Sequence, residues 1–371
     1  MNFFLRHLSL WICISSMLTI ISAGVAQSRV ELVHADFSRG QTYRGNEEVK
    51  ILEGNVFVRQ DTVEIYCDKA VYHKAQHRIV LTGNVRLVRG KEILTAERVT
   101  YYEQQKMAIA EQNVFLQRPG QTLRSEYLKY FYETDRSFAR TNLVLKDVDS
   151  RMTVTAQRGE YLPQQNRSRV EKNAHFRQVS NDGADTLHIF AEDIEYIFQP
   201  ERVAIAKNSV RIKRGELTAT CDSATYLLEK DRVYLDKNPM AHQKSNDLTG
   251  EQIELTIEDM KISQILVSGN AVAISVEDSL KNKINRLTGN EIIAKITEQQ
   301  IETLQAFDNA RSKYYLKDDG VQQGFNTASA DTILIYFKAS EVNRIVVKGG
   351  SQGVYTPKGS PITAGQNRHK K

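Results

Sequence analysis

The sequence predicts an all-β protein, an elongated antiparallel β-jellyroll of about ten stacked repeats of roughly 29 residues. Three observations predict it. Asn-Val pairs recur at Asn55, Asn84 and Asn113, each 29 residues apart. Apolar residues alternate with period two, as in Val56/Val58 and Val85/Leu87. The gap from Tyr72 to Ile79 admits a hairpin turn and leaves no room for the crossover helix that parallel strands need.

From the N-terminus, Arg6 and His7 stand before an apolar run from Leu8 to Ile21, and Ser22, Ala23, Gly24 and Ala26 follow. This is the order of a cleavable secretory signal, expected to span residues 1–26. The alternative is an uncleaved anchor, although the run is short of the roughly 20 residues a spanning helix needs. Cleavage would remove Trp11, the only tryptophan, and Cys13, one of three cysteines. The chain as a whole carries 50 basic and 45 acidic residues, an excess too small to point to nucleic acid. With 41% hydrophobic and 26% charged residues, it is neither a disordered acidic chain nor a helical membrane protein.

Residues 27–356 are expected to form the stack, with room for two sub-modules meeting near 171–207. After Asn113 the first anchor continues at Asn142, Asn173, Asn208, Asn238, Asn270 and Asn309, and Gly350 takes the last such place. A second anchor, a small residue followed by an acid or amide, begins at Ala35-Asp36 and adds a tyrosine from Cys67-Asp68-x3-Tyr72 onward. It recurs at Ala96-Glu97, Ser125-Glu126, Ala156-Gln157, Ala191-Glu192 and Cys221-Asp222, then in degenerate form to Ala330-Asp331. From the second anchor to the next first anchor is 16 residues in six consecutive units and 19 in the other four. The return distance varies from 13 to 22, so insertions collect at one place in each unit.

Three short strands are expected per unit: the Asn-Val strand, the tyrosine strand, and a third such as Ile79–Leu81 or Met107–Ile109. Such a unit cannot bury its apolar face alone, so neighbours must share a core. Blades of a propeller need about 40 residues, which disfavours that fold. A parallel β-helix stays open as an alternative. At Lys207-Asn208-Ser209-Val210 the pattern is one residue out of phase, and a bulge is expected there.

The recurrence of LEGNV, LTGNV and [AS]-[DE]-x3-Y segments behind a secretory signal, from Val30 to Thr356, resembles the OstA-like family of lipopolysaccharide-transport proteins. That family includes LptA-like periplasmic bridges and the N-terminal domain of the LptD-like translocon. The resemblance implies an open jellyroll in the periplasm whose apolar interior carries lipopolysaccharide acyl chains, with outer-membrane association compatible. It implies no enzyme activity and no cofactor. It implies edge-strand pairing with an inner-membrane LptC-like anchor and an outer-membrane LptD-like translocon, and head-to-tail self-association is compatible with it.

The expected groove residues are Val56, Val58, Val85, Leu87, Val114, Leu116, Leu143, Leu145, Phe176, Val210 and Ile212. The competing reading is that they close a dry core, in a structural or adhesive solenoid that binds surface polysaccharide. The tyrosines either line the lip of a groove or form a structural ladder. The acids beside them either bind cations or solvate strand ends. Cys67 and Cys221 occupy equivalent places five units apart, so an ordered stack holds them at least about 24 Å apart. A disulfide needs Cα atoms within about 7 Å, so two buried, unpaired thiols are expected. His73 and His77 sit in a turn and are not expected to bind metal. The residues 357–371 form a basic tail, expected to be disordered.

Overall fold

The computed structural model describes residues 30–358, apart from 44–46, 61, 132, 150, 181–182, 184, 198, 259–260, 279–282, 299, 319–320 and 339–340. The expected signal segment and the tail after Lys358 lie outside the described residues. The chain divides into two compact units, Met1–Gly215 with Leu227–Glu229, and Glu216–Tyr226 with Lys230–Lys371. Among the described residues the helical turns are short 3-10 turns, such as Lys74–Gln76 and Pro163–Gln165.

The first unit is an antiparallel meander. Its strands are β1 (Val30–His34), β2 (Phe37–Tyr43), β3 (Glu47–Gln60), β4 (Val63–His73), β5 (Arg78–Arg89), β6 (Glu92–Tyr102) and β7 (Met107–Arg118). There follow β8 (Gln121–Phe131), β9 (Arg136–Asp147), β10 (Met152–Leu162), β11 (Arg167–Val179), β12 (Thr186–Ile197) and β13 (Val203–Arg214). From β3 onward each strand pairs with the next. Strands β1 and β2 both pair with β3.

The expectation of three short strands per unit is corrected here to two long ones. Ile79–Leu81 and Val85–Leu87 lie on the single strand β5, joined through Gly83 and Asn84. Both residues are left-handed, with φ of 75° and 48°. The cross-strand register shifts at that point, between Thr82 and Val85, and then resumes. Two successive left-handed residues thus turn the strand without ending it. Gly and Asn are the residues that visit this region at least cost, which is why they recur here.

Such pairs sit at every first anchor, including Gln112-Asn113, Thr141-Asn142, Lys172-Asn173 and Gly349-Gly350. At the phase shift the pair is Asn208-Ser209 rather than Lys207-Asn208. The corner therefore keeps its place immediately before Val210, as it does before Val56 and Val85. The corners divide the first unit into two layers. Residues on both sides of them, such as Val85 and Leu81, enter one hydrophobic cluster.

The second unit has β14 (Leu217–Leu227), β15 (Arg232–Asp236), β16 (Met240–Gln243), β17 (Asn246–Thr249), β18 (Gln252–Glu258) and β19 (Lys261–Asp278). It ends with β20 (Lys283–Thr297), β21 (Gln300–Asp318), β22 (Val321–Lys338), β23 (Glu341–Lys348) and β24 (Gln352–Pro357). At Lys237-Asn238 the corner separates β15 from β16, because Pro239 follows and offers no N–H to continue the ladder. The insertions lengthen β19 to β22, which run to 15–19 residues. Ile253, Val267, Ile292, Ala306 and Ile333 form a fully buried row across five strands, with each neighbouring pair in register.

Candidate functional site

The interior of the first unit is built from rows of side chains that run across the strands. Nearest the corners, Val56, Val85, Val114, Leu143 and Val210 are each 1% exposed. They face smaller residues on the intervening strands: Val56 opposes Cys67, Val85 opposes Ala96, and Val114 opposes Ser125. Alternating large and small side chains lets the two layers close on each other.

Two residues further along each strand runs an aliphatic row. It passes from Leu32 and Val58 through Ile65, Leu87, Leu94 and Leu116. It continues through Leu123, Leu145, Val154, Phe176, Ile189 and Ile212. No polar residue interrupts it. Leu87, Leu116, Leu145 and Phe176 are buried, whereas Val58, Ile65, Val154, Ile189 and Ile212 are half-buried. The row is thus covered in the middle of the unit and partly open toward its two ends.

Each residue expected to line the interior falls on one of these two rows, on the inward side, with Arg86 exposed between Val85 and Leu87. Sequence reasoning missed the even-strand half of the aliphatic row. Its signal was two places before each small anchor: Ile65-x-Cys67, Leu94-x-Ala96, Leu123-x-Ser125, Val154-x-Ala156 and Ile189-x-Ala191. Across the interior, Ala70, Leu81, Val99, Ala110, Leu128 and Ala139 give the second layer an apolar row of its own.

Polar residues close the rows at the hairpin end of the first layer. Arg118 and Arg89 both reach Glu92, at 3.3 and 3.1 Å, and Gln121 donates to Asp147 at 3.0 Å. At the far end of the second layer stand the tyrosines. Tyr130 and Tyr161 are buried, and each opposes the small Ser137. The Tyr130 hydroxyl donates to Asp135 at 2.5 Å, and Tyr72 reaches Glu103. This arrangement is a structural ladder with its hydroxyls tied to turn carboxylates. Burial pushes the Tyr101 and Tyr196 phenols above their ordinary range.

The second-anchor acids take a role that the sequence did not disclose. Asn84 donates through Nδ2 to Asp68 at 3.0 Å, Asn55 to Asp36 at 3.1 Å and Asn270 to Glu251 at 2.9 Å. Each acid latches the corner of the following strand, so the separations of 16 and 19 residues are the spans of this bond. The acid also leans on the first corner residue: a Cβ added at Gly83 would lie 2.8 Å from the Asp68 Cβ and overlap its carboxylate. Among the described residues no cluster of His, Cys, Asp or Glu could hold a metal ion. His77 instead faces Glu103 at 3.3 Å.

Cys67 and Cys221 are free and buried. Burial pushes both thiols up to about 11, with Asp68 adding to the effect at Cys67. In the first unit, β1 and β2 display Val30, Leu32 and Phe37 to solvent, Phe37 at 71% exposure. In the second, β24 displays Val354 and Tyr355. The sequence reading expects partner strands at edges near residues 30–33, which fall on β1, and near residues 345–347, which fall on β23, just before β24.

Residues 27–177 match the family described as OstA-like protein. No curated protein matches the chain. Among solved structures, the chain has low similarity to LptH of Pseudomonas aeruginosa, described as the LptA homologous periplasmic component of the conserved lipopolysaccharide transport device. The TM-score is 0.28 at 17% identity, over 41% of this chain and 90% of that one. The corners and rows of the first unit reach Arg214, past the end of the family match. Residues 27–177 thus carry an OstA-like domain.

Proposed function

We propose that this protein is a non-enzymatic lipid carrier of the periplasm, moving lipopolysaccharide from the inner to the outer membrane by its acyl chains. The observation that carries the reading is the unbroken aliphatic row from Leu32 to Ile212, backed by the row at the corners. Twelve strand positions at about 4.8 Å make a track of roughly 50 Å that can hold a chain without polar contacts. At about 0.8 kcal/mol per CH₂, a twelve-carbon acyl chain entering it gains roughly 10 kcal/mol before ordering costs. The match of residues 27–177 to the OstA-like family supports the same reading. Export through the segment 1–26, and edge pairing of β1 or β24 with LptC-like and LptD-like partners or with a second copy, belong to this proposal.

One observation favours a second reading, a sealed structural solenoid. Val85, Val114 and Leu143 are almost wholly buried in this closed arrangement. The half-buried ends of the aliphatic row distinguish the two, since a conduit must open there. Photo-crosslinking side chains at Leu116 and Ile189 should label lipopolysaccharide, whereas one at Arg98, exposed on the outside of the second layer, should not. Labelling at Arg98 alone, or nowhere, would reject the carrier.

A further inference from the structure

The two outer faces of the first unit differ in how their charges are settled. On the second layer many cations meet acids: Lys69 binds Glu53 at 2.7 Å, Arg136 binds Glu160 at 2.7 Å, and Arg98 lies 3.9 Å from Glu111, while Lys129 and Arg140 lie over the rings of Phe131 and Tyr127. On the outer face of the first layer Arg59 lies 3.8 Å from Glu64 at the β3–β4 end, and beyond it the cations stand without acids. Between β5 and β13 its outward positions form two rows, and no carboxylate stands in either. The rows carry Arg86, Arg124, Lys146, Arg177, Arg211 and Lys213, all exposed. None of the six has an acidic partner among the described residues.

Aromatic rings stand between these cations. Phe57 stacks on Tyr66 at 4.6 Å, and the Arg86 guanidinium lies 5.6 Å over the other side of Tyr66. Phe190 is held between His175 at 4.2 Å and Arg211 at 4.7 Å, and Arg124 lies 4.8 Å over Phe115. Neighbours in the row therefore occupy the ring faces, so the rings offer no platform for a nucleobase. A guanidinium stacked on a ring keeps its in-plane N–H groups free, in the fork that matches an oxyanion. Thr95, Thr122, Thr153 and Thr155 place hydroxyls among the cations, partners for sugar hydroxyls.

We propose that this cationic face binds a linear phosphorylated saccharide laid across strands β5 to β13. The strip is two outward residues wide, about 7 Å, and eight strand steps long, roughly 38 Å. Those dimensions suit one extended chain rather than a planar surface. The attraction is a multi-site one between exposed charges, so it weakens with salt.

The test uses the full exported chain and deacylated lipopolysaccharide, which keeps phosphates and loses acyl chains. Because this probe cannot use the interior, its binding and the acyl-chain reading succeed or fail separately. Binding should weaken at least tenfold in the triple variant Arg124→Gln, Lys146→Gln, Arg177→Gln, and on removal of the phosphates. The control variant Lys69→Gln, Arg98→Gln, Arg136→Gln, on the neutralised face, should change it less than twofold. Circular dichroism checks that both variants stay folded. The proposal is overturned by no binding, by equal loss in both variants, or by preferential capture on vesicles of 30% phosphatidylglycerol or on duplex DNA with the same dependence on Arg124, Lys146 and Arg177.

Discussion

Replacing Gly83 with alanine tests the corner directly, and Gly90 provides its control. Both glycines are left-handed, with φ of 75° and 57°. A Cβ at Gly90 meets nothing within 4 Å, whereas one at Gly83 overlaps the Asp68 carboxylate. The left-handed conformation costs alanine about 1–2 kcal/mol. Lower entropy of the unfolded chain returns about 0.4–1 kcal/mol. Gly90→Ala should therefore destabilise by about 1 kcal/mol. Gly83→Ala carries the same penalty and must also push Asp68 away from Asn84, breaking their 3.0 Å bond. A hydrogen bond of this kind contributes about 1 kcal/mol, which brings the total to about 2 kcal/mol. Urea unfolding followed by far-UV circular dichroism measures the pair, and amide exchange on β4 and β5 localises the loss. If Gly83→Ala proves no worse than Gly90→Ala, the latch contributes nothing and the corner is held by other contacts.

Other consequences are as open to measurement. Leu143→Ala, which empties a site 1% exposed, should cost about 2–5 kcal/mol in the same unfolding assay. Cys67 and Cys221, with thiols near 11, should resist iodoacetamide at pH 8 and both react once urea unfolds the chain; a native disulfide between them would contradict this. The phenols of Tyr101 and Tyr196 are raised above 10.0 by burial, so above that pH the folded chain binds more protons than the unfolded one. Stability fully present below pH 10 should then fall as pH rises further, and tyrosinate absorbance at 295 nm should appear together with unfolding.

Much of this architecture could be read from residue types alone, and what escaped has a physical cause. The recurring Asn and its small-acid partner marked every corner from Asn55 to Gly350, because few residues tolerate two successive left-handed positions. Period-two alternation then placed Val85 and Leu87 inside and Arg86 outside. The fusion of Ile79–Leu81 with Val85–Leu87 into one strand was missed because Gly83-Asn84 also reads as a turn. A left-handed pair within a continuing ladder looks the same in sequence as one that ends it. The rows were out of reach for a different reason. Knowing that Arg124 stands beside Phe115, or Leu94 beside Leu116, requires the register, and hairpins of unequal length hide it.

The latch between successive strands also sets the steps in which such a chain can be shortened or lengthened. Asn84 and Asn113 are followed by Val85 and Val114 at the same point of their corners. Removing residues 85–113 would join Asn84 to Val114 and leave an intact corner, an intact alternation and an acid at the required separation on each side. Removing one residue more would invert every side chain up to the next corner. Heredity can therefore edit this protein cheaply only in pairs of strands, and each such pair adds or deletes about 10 Å of track while leaving its chemistry unchanged.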